Sequence, residues 1–185
     1  MKHSCKLFQG ILLLLLSSHL YAQDQPDIII HFTEKKVSIN QASINKQSSI
    51  AAIRKALGSE DRVLSEANNS TRLFIYDKYG LDFVIDTAKS ILHKLTIHFS
   101  EPRQRYETSP VQLFKGKLSV GIHPVLPTEQ IDTIIAKTKI FFTEWSPGFY
   151  WYSADNKEFS ITIAYKDKRK EIFGNLYVLF IQEDQ

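Results

Sequence analysis

Cysteine and methionine are almost absent from this sequence of 185 residues, with one of each. Both of them, Cys5 and Met1, lie within the first 22 residues. If that segment is removed, the remaining chain has no thiol, which excludes disulfide bonds, thiol catalysis, cysteine-ligated zinc and iron–sulfur clusters. Hydrophobic residues make up 43% of the chain and charged residues 23%, a balance that is typical of a globular protein rather than a disordered one.

A large excess of charge of one sign is also absent. The chain has 23 Lys and Arg against 20 Asp and Glu, a formal net charge of +3. Two of these positive charges, Lys2 and Lys6, lie in the N-terminal segment, which leaves a net charge of about +1 on the rest. A near-neutral chain lacks the basic surface that contacts phosphate backbones, so we expect no nucleic-acid partner.

Long apolar runs are missing too. The run at residues 11–16 is far shorter than the roughly 20 residues that a membrane-spanning helix needs. With two lysines before it and a more polar stretch after it, the run has the pattern of a secretory signal peptide. We therefore predict that residues 1–22 are a signal peptide cleaved near Ala22. The mature chain is then exported to the periplasm or beyond the cell, without a transmembrane segment.

What the sequence does contain is an internal repetition. The pattern of Val37–Ile39 recurs at residues 118–120, and that of residues 95–99 recurs at residues 176–180, each at an offset of 81. In both halves, two strands, a helix and three further strands are predicted. Within Leu81–Asp86, apolar and polar residues alternate, as in an antiparallel strand with one buried face. The sequence predicts an α+β fold of two tandem β-β-α-β-β-β repeats, each an antiparallel sheet with one helix packed on it.

The predicted boundaries follow from the same pattern. We place the first repeat at residues 23–99, a linker rich in charge and proline at residues 100–110, and the second repeat at residues 111–185. The opening strands are predicted at residues 28–33 and 111–114. The first helix is expected between a cap at Ser48 or Ser49 and an end at Gly58, and the second begins at Pro127. Whether the two sheets join edge to edge or face each other stays open.

Two segments, residues 53–63 and 114–122, resemble a bacterial family of duplicated α+β domains that is catalogued as a domain of unknown function. They contain a hairpin glycine, a helix cap and a helix-to-strand turn, all of them structural features. The resemblance covers most of residues 35–181. It implies the fold and implies no activity or catalytic residue.

Signatures of catalysis are scarce. The sequence has no G-x-S-x-G motif, no phosphate-binding glycine loop and no H-E-x-x-H pair. Asp82 and Asp86 share one face of a predicted strand, but their Cα atoms are then about 13 Å apart, beyond the usual separation of glycosidase carboxylates. We therefore predict a non-catalytic protein without a metal or cofactor. The alternative is a hydrolase or carbohydrate-active enzyme that uses Asp82, Asp86 or His98.

Aromatic residues supply the candidate binding site. They cluster in the second half, where the predicted partner-binding residues are Trp145, Phe149, Tyr150, Trp151 and Tyr152. Strand alternation places Phe149 and Trp151 on one face and Tyr150 and Tyr152 on the other, so one pair belongs to the core. The other pair can stack on a sugar or anchor a protein. The competing interpretation is that the whole cluster fills the core or the seam between the halves.

These observations together predict an exported, non-catalytic binding or interaction protein of the cell envelope. Its expected partner is a protein or an envelope glycan. A structural envelope component is a further alternative.

Overall fold

A computed structural model describes residues 28–33, 36–65, 70–101, 107–146, 150–166 and 173–181. The predicted signal peptide and its cleavage near Ala22 lie outside these ranges. Within them, no helix combines the length and the apolar character needed to cross a membrane. The fold of this part is α+β and mostly β, which confirms the predicted class in its coarse form.

The helices and strands alternate in a similar order in the two halves. The first half contains β1 (Ile29–Phe32), β2 (Val37–Ile39), β3 (Ala42–Ile44), α1 (Ile50–Leu57), β4 (Arg62–Ser65), β5 (Thr71–Tyr76), β6 (Leu81–Asp86) and β7 (Ile91–His98). The second contains β8 (Lys117–Val120), β9 (His123–Val125), α2 (Ile131–Thr138), β10 (Thr143–Ser146), β11 (Trp151–Asp155), β12 (Phe159–Tyr165) and β13 (Phe173–Phe180).

These strands form two sheets, and each sheet takes strands from both halves. The larger sheet has the order β10-β11-β12-β13-β7-β6-β5-β4, and every neighbouring pair in it is antiparallel. The smaller sheet has the order β3-β2-β1-β8-β9, in which β1 and β8 are parallel. The prediction that each half forms one antiparallel sheet is therefore wrong, and the larger sheet joins the two halves edge to edge, one of the two arrangements that the sequence left open. Pairing β7 with β13 leaves neither strand as an open edge, where unpaired backbone groups would invite aggregation.

One face of the larger sheet, here called the inner face, packs against the smaller sheet. Phe32 of β1 contacts Phe159 of β12, with 6.5 Å between the ring centroids. Ile53 and Leu57 of α1 and Ile134 of α2 are buried in the same core. The opposite face of the larger sheet is called the outer face.

Helix α1 begins and ends as predicted. The hydroxyl of Ser49 accepts a hydrogen bond from the Ala52 amide, and Gly58, at φ 81°, donates its amide to the Arg54 carbonyl. Helix α2, however, begins after Gln130 rather than at Pro127. The Pro127 carbonyl instead accepts a hydrogen bond from the Phe173 amide, so this residue is tied to the larger sheet.

The predicted strand at residues 111–114 is not a strand. Its backbone amides do not pair with a neighbouring strand. The Gln112 amide donates a hydrogen bond to the Asp77 carbonyl, and the Phe114 amide donates one to the His98 carbonyl. This stretch belongs to a segment, here called the connector (residues 107–116), that leads to β8. The sequence did not predict four short strands, β3, β4, β9 and β10.

Candidate functional site

The outer face of the larger sheet carries a continuous row of polar side chains. Cross-strand pairing aligns Ser153 with Thr162, Thr162 with Tyr177, Tyr177 with Thr96, and Thr96 with Asp82. These residues share one face because side chains alternate along each strand. The polar row therefore crosses five strands, from β11 to β6, on the side that faces away from the core.

Two adjoining hollows lie on this row. The first, here called the Trp151 groove, has a volume of about 440 Å³. In it the rings of Trp151 and Tyr177 lie 6.0 Å apart between centroids, and the Lys94 ammonium is 6.0 Å from the centre of the Tyr177 ring. The hydroxyls of Ser153 and Thr162 are hydrogen bonded at 2.8 Å. The groove is completed by Asp155, Ser160 and Leu179.

The second hollow, here called the Asp82 pocket, has a volume of about 240 Å³. At its base, His98 donates through Nε2 to Oδ2 of Asp82 at 2.6 Å, with only 12% and 6% of the two side chains exposed. The other carboxylate oxygen, Oδ1, is buried without a hydrogen-bond partner in the part of the chain that the structure describes, and so is the Thr96 hydroxyl. Lys94 and Tyr177 line both hollows, so the two adjoin across these side chains.

The connector forms one side of the Asp82 pocket through Thr108 and Ser109. Arg62 holds it there, since its guanidinium bonds to the Asp77 carboxylate at 2.6 and 2.7 Å and also donates to the carbonyl of Ser109. The Asp77 carboxylate raises the pKa of Arg62 above its ordinary value, chiefly through these hydrogen bonds. The Val111 amide completes the contact by donating to Asp77 Oδ1 at 2.8 Å. The edge of the pocket is thus fixed by an ion pair that does not line it.

The structure separates the predicted aromatic residues. Trp151 is half-buried on the outer face, whereas Tyr152 is 7% exposed and packs edge-on against Tyr165 in the core. Tyr152 is therefore not available as a binding residue, because strand alternation turns it inward. Tyr150, at φ 58°, packs partly buried against the core. Phe149 and the side chain of Trp145 lie outside the described residues.

The structure also places the two predicted acidic candidates, Asp82 and Asp86, in different surroundings. Asp86 is buried at the end of β6, and its carboxylate accepts hydrogen bonds from the amides of Ala88 and Lys89. It therefore shapes a turn and does not line either hollow on the outer face. Asp82 and His98, in contrast, are brought into direct contact.

Sequence reasoning missed Tyr177, Lys94 and Thr96. Their signal was present, because Lys94, Thr96 and His98 alternate with apolar residues along one predicted strand, as Asn175 and Tyr177 do along another. What the pattern lacked was the information that β7 and β13 are neighbours. Only that pairing places the two polar faces side by side.

A third hollow, of about 540 Å³, lies between the β8–β9 turn and the end of α2. Its walls include His123 and Lys139, and no carboxylate among the described residues lines it. Over the part of the chain that the structure describes, no three His, Cys, Asp or Glu side chains lie close enough together to hold a metal ion. The outer face of the larger sheet is therefore the candidate site.

Residues 29–135 match the family model described as Domain of unknown function (DUF7738). The match runs from β1 into α2, so it includes β6 and β7 of the Asp82 pocket and ends before the strands that carry Trp151 and Tyr177. No curated protein and no solved structure matches the chain.

Proposed function

The chain belongs to the DUF7738 family, and we propose that it is an exported, non-catalytic binding protein of the cell envelope that holds a glycan in the Trp151 groove. The observation that carries this proposal is the pair of half-buried rings, Trp151 and Tyr177, on the outer face of the larger sheet. Periplasmic or extracellular location belongs to the proposal, and rests on the signal-peptide pattern of residues 1–22.

The composition of the groove favours a sugar over a protein as its occupant. Aromatic side chains offer an apolar face, and beside them stand hydroxyls on Ser153, Ser160 and Thr162 that both donate and accept hydrogen bonds. A sugar ring has the matching arrangement of an apolar face with hydroxyls around its edge. A protein interface would instead need a desolvated centre from which charged groups are largely absent, whereas Lys94 and Asp155 line this groove.

The proposal is tested by comparing Trp151→Ala with Phe141→Ala. Phe141 is an aromatic residue that is 78% exposed and does not line the groove, so it is a matched control. We expect Trp151→Ala to weaken binding of a β-1,4-linked N-acetylglucosamine tetrasaccharide about tenfold or more by calorimetry, because it removes the stacking face. Phe141→Ala should bind as the wild type does. Wild-type protein that binds neither the tetrasaccharide nor peptidoglycan sacculi would contradict the proposal.

A hydrolase remains a second candidate because of one observation, the Asp82–His98 contact at 2.6 Å. A histidine oriented by a carboxylate is the arrangement of a general base. The Thr96 hydroxyl, although on the same face, has no hydrogen-bond partner and so is not engaged by His98 as a nucleophile. Product release from the tetrasaccharide, lost in His98→Gln, would favour the hydrolase.

We further propose that the two halves are tandem repeats. What supports this is the spacing, since α1 and α2 begin 81 residues apart, as do β3 and β9, and β4 and β10. The larger sheet also has mirrored halves, with β4 to β7 on one side and β10 to β13 on the other. An experimental structure in which residues 37–65 fail to superpose on residues 118–146 would contradict it.

A purely structural envelope component, the remaining alternative, would show no saccharide binding.

A further inference from the structure

Two buried polar atoms on residues that line the Asp82 pocket have no hydrogen-bond partner among the described residues. They are Oδ1 of Asp82 and the hydroxyl of Thr96, whose residues are 4% and 2% exposed and lie directly opposite each other on β6 and β7. Buried polar groups are nearly always paired in folded proteins, because an unpaired one lowers stability. Two of them on the wall of one hollow indicate that a ligand completes their hydrogen bonding.

The charges around the pocket indicate the kind of ligand. Among the described residues, the charged and titratable side chains that line it are Asp82, Lys94, His98 and Tyr177. An anionic ligand would meet the Asp82 carboxylate, and a cationic one would meet the Lys94 ammonium. A neutral hydroxyl both donates and accepts hydrogen bonds, so it can pair with Oδ1 of Asp82 and with the Thr96 hydroxyl together.

The distance between the two hollows indicates the length of the ligand. Trp151 on β11 and Asp82 on β6 are separated by four strand spacings of about 4.8 Å, or roughly 19 Å. Tyr177 and Lys94 lie between them and line both hollows. A ligand that reaches from one hollow to the other must therefore be an extended chain that crosses the strands.

We propose that the Asp82 pocket is a second subsite of the Trp151 groove, in which Asp82 and Thr96 bind a hydroxyl of a neutral oligosaccharide. This inference rests on the proposed function. The Asp82 carboxylate rotates easily about its terminal bond, because this torsion has a broad minimum. A small rotation presents Oδ1 to the ligand, while Oδ2 keeps its contact with His98. Ligand binding therefore changes the surroundings of the His98 ring.

The test measures affinity as a function of saccharide length. β-1,4-linked N-acetylglucosamine oligomers of two to five units are titrated into the full mature chain and into Asp82→Asn, Thr96→Val and Trp151→Ala variants. For the wild type we expect affinity to rise about tenfold between the disaccharide and the tetrasaccharide. Asp82→Asn and Thr96→Val should bind the disaccharide as the wild type does and lose this rise, whereas Trp151→Ala should bind every length weakly.

Thr96→Val keeps the test decisive if Asp82→Asn does not fold. Valine has nearly the shape of threonine and removes a hydroxyl that has no partner in the free protein, so its melting temperature should equal or exceed that of the wild type. As a second readout, the NMR shifts of the His98 ring should move with the tetrasaccharide and not with the disaccharide.

The outcomes separate this inference from the proposed function. Equal wild-type affinity for the disaccharide and the tetrasaccharide would overturn the second subsite and leave glycan binding in place. A rise with length that persists in Thr96→Val and Asp82→Asn would also overturn it. Binding of no oligomer at any length would overturn both.

Discussion

Single residues in this protein differ in whether their buried polar atoms are paired. Tyr76 and Tyr165 are both buried tyrosines, and burial raises the pKa of each phenol above its ordinary value of 10. The Tyr165 hydroxyl donates to the Glu129 carbonyl at 2.8 Å, whereas the Tyr76 hydroxyl has no hydrogen-bond partner within the described ranges. The ring of Tyr76 is nevertheless well packed, with Phe83 edge-on at 5.6 Å.

We predict opposite effects of removing these two hydroxyls. Tyr76→Phe should leave the free energy of unfolding unchanged or raise it, because it removes an unpaired buried group and keeps the ring. Tyr165→Phe should lower it by about 1 kcal/mol, because the Glu129 carbonyl loses its donor. Urea unfolding at pH 7, followed by circular dichroism, measures both, and each variant is the control for the other.

The two variants also differ from the wild type at high pH. Since the pKa of each phenol is raised in the folded state, their contribution to stability is complete below about pH 10 and is lost as the pH rises above that value. A double phenylalanine variant should therefore lose less stability than the wild type between pH 9 and pH 11.

Equal decreases in the free energy of unfolding of the two single variants at pH 7 would contradict the first prediction, because they would show that the Tyr76 hydroxyl is paired in solution.

Among the structural elements, the turn between β5 and β6 lies close against the connector. Gly80 lies in this turn at φ 65°, and a Cβ atom placed on it would be 2.3 Å from the Phe114 amide nitrogen. Gly121, in the β8–β9 turn, has a similar φ of 57° but no atom within 4 Å of such a Cβ. The two glycines therefore share the backbone conformation and differ in the space around them.

We predict that Gly80→Ala destabilises the protein far more than Gly121→Ala. Alanine at Gly121 should cost about 1 kcal/mol, the usual strain of a side chain in the left-handed region. Alanine at Gly80 should lower the free energy of unfolding by about 2 kcal/mol or more in addition to that strain. The reason is that the connector backbone must move, and the hydrogen bond between Phe114 and His98 is then lost. The midpoints of urea unfolding measure the difference. Similar urea midpoints for both variants would contradict the prediction, because they would mean that the connector backbone moves away from residue 80 at little cost in stability.

For the whole molecule, the important feature is that both sheets are shared between the halves. β7 pairs with β13 over residues such as Leu95 and Val178, and β1 pairs with β8. Neither half can therefore bury its strands alone. This differs from two domains joined by a linker, which unfold independently.

We predict a single unfolding transition for the mature chain. Both tryptophans lie in the second half, so tryptophan fluorescence follows that half, whereas far-ultraviolet circular dichroism follows both. The two probes should give the same urea midpoint, because breaking either half exposes strands of the other. A fragment ending at residue 110 should lack a cooperative transition. Two separate midpoints in the intact chain would contradict a shared core.

Local features of the fold were predictable where neighbouring residues decide them. The capping of α1 by Ser49 and its end at Gly58 depend on residues within one turn. The inward direction of Leu81, Phe83 and Ile85 follows from alternation along β6. The resemblance to a family of unknown function is confirmed by the match over residues 29–135.

The candidate site was predictable only in part, because its residues come from strands that are distant in sequence. The sequence indicated Trp151, Asp82 and His98 as separate candidates and gave equal weight to Tyr152 and Asp86. The structure places Tyr152 in the core and Asp86 at the end of β6, where its carboxylate bonds to a turn. No local pattern shows that β13 lies beside β7.

The sequence by itself determined the absence of cysteine after residue 5, the near-neutral charge, the β-rich α+β class and the two faces of each long strand. The tertiary structure alone decided that the halves share their sheets and that Tyr177 stands between Trp151 and Asp82. The physical reason is that capping and alternation act over a few residues, whereas strand pairing depends on which apolar faces can be buried together by the whole chain.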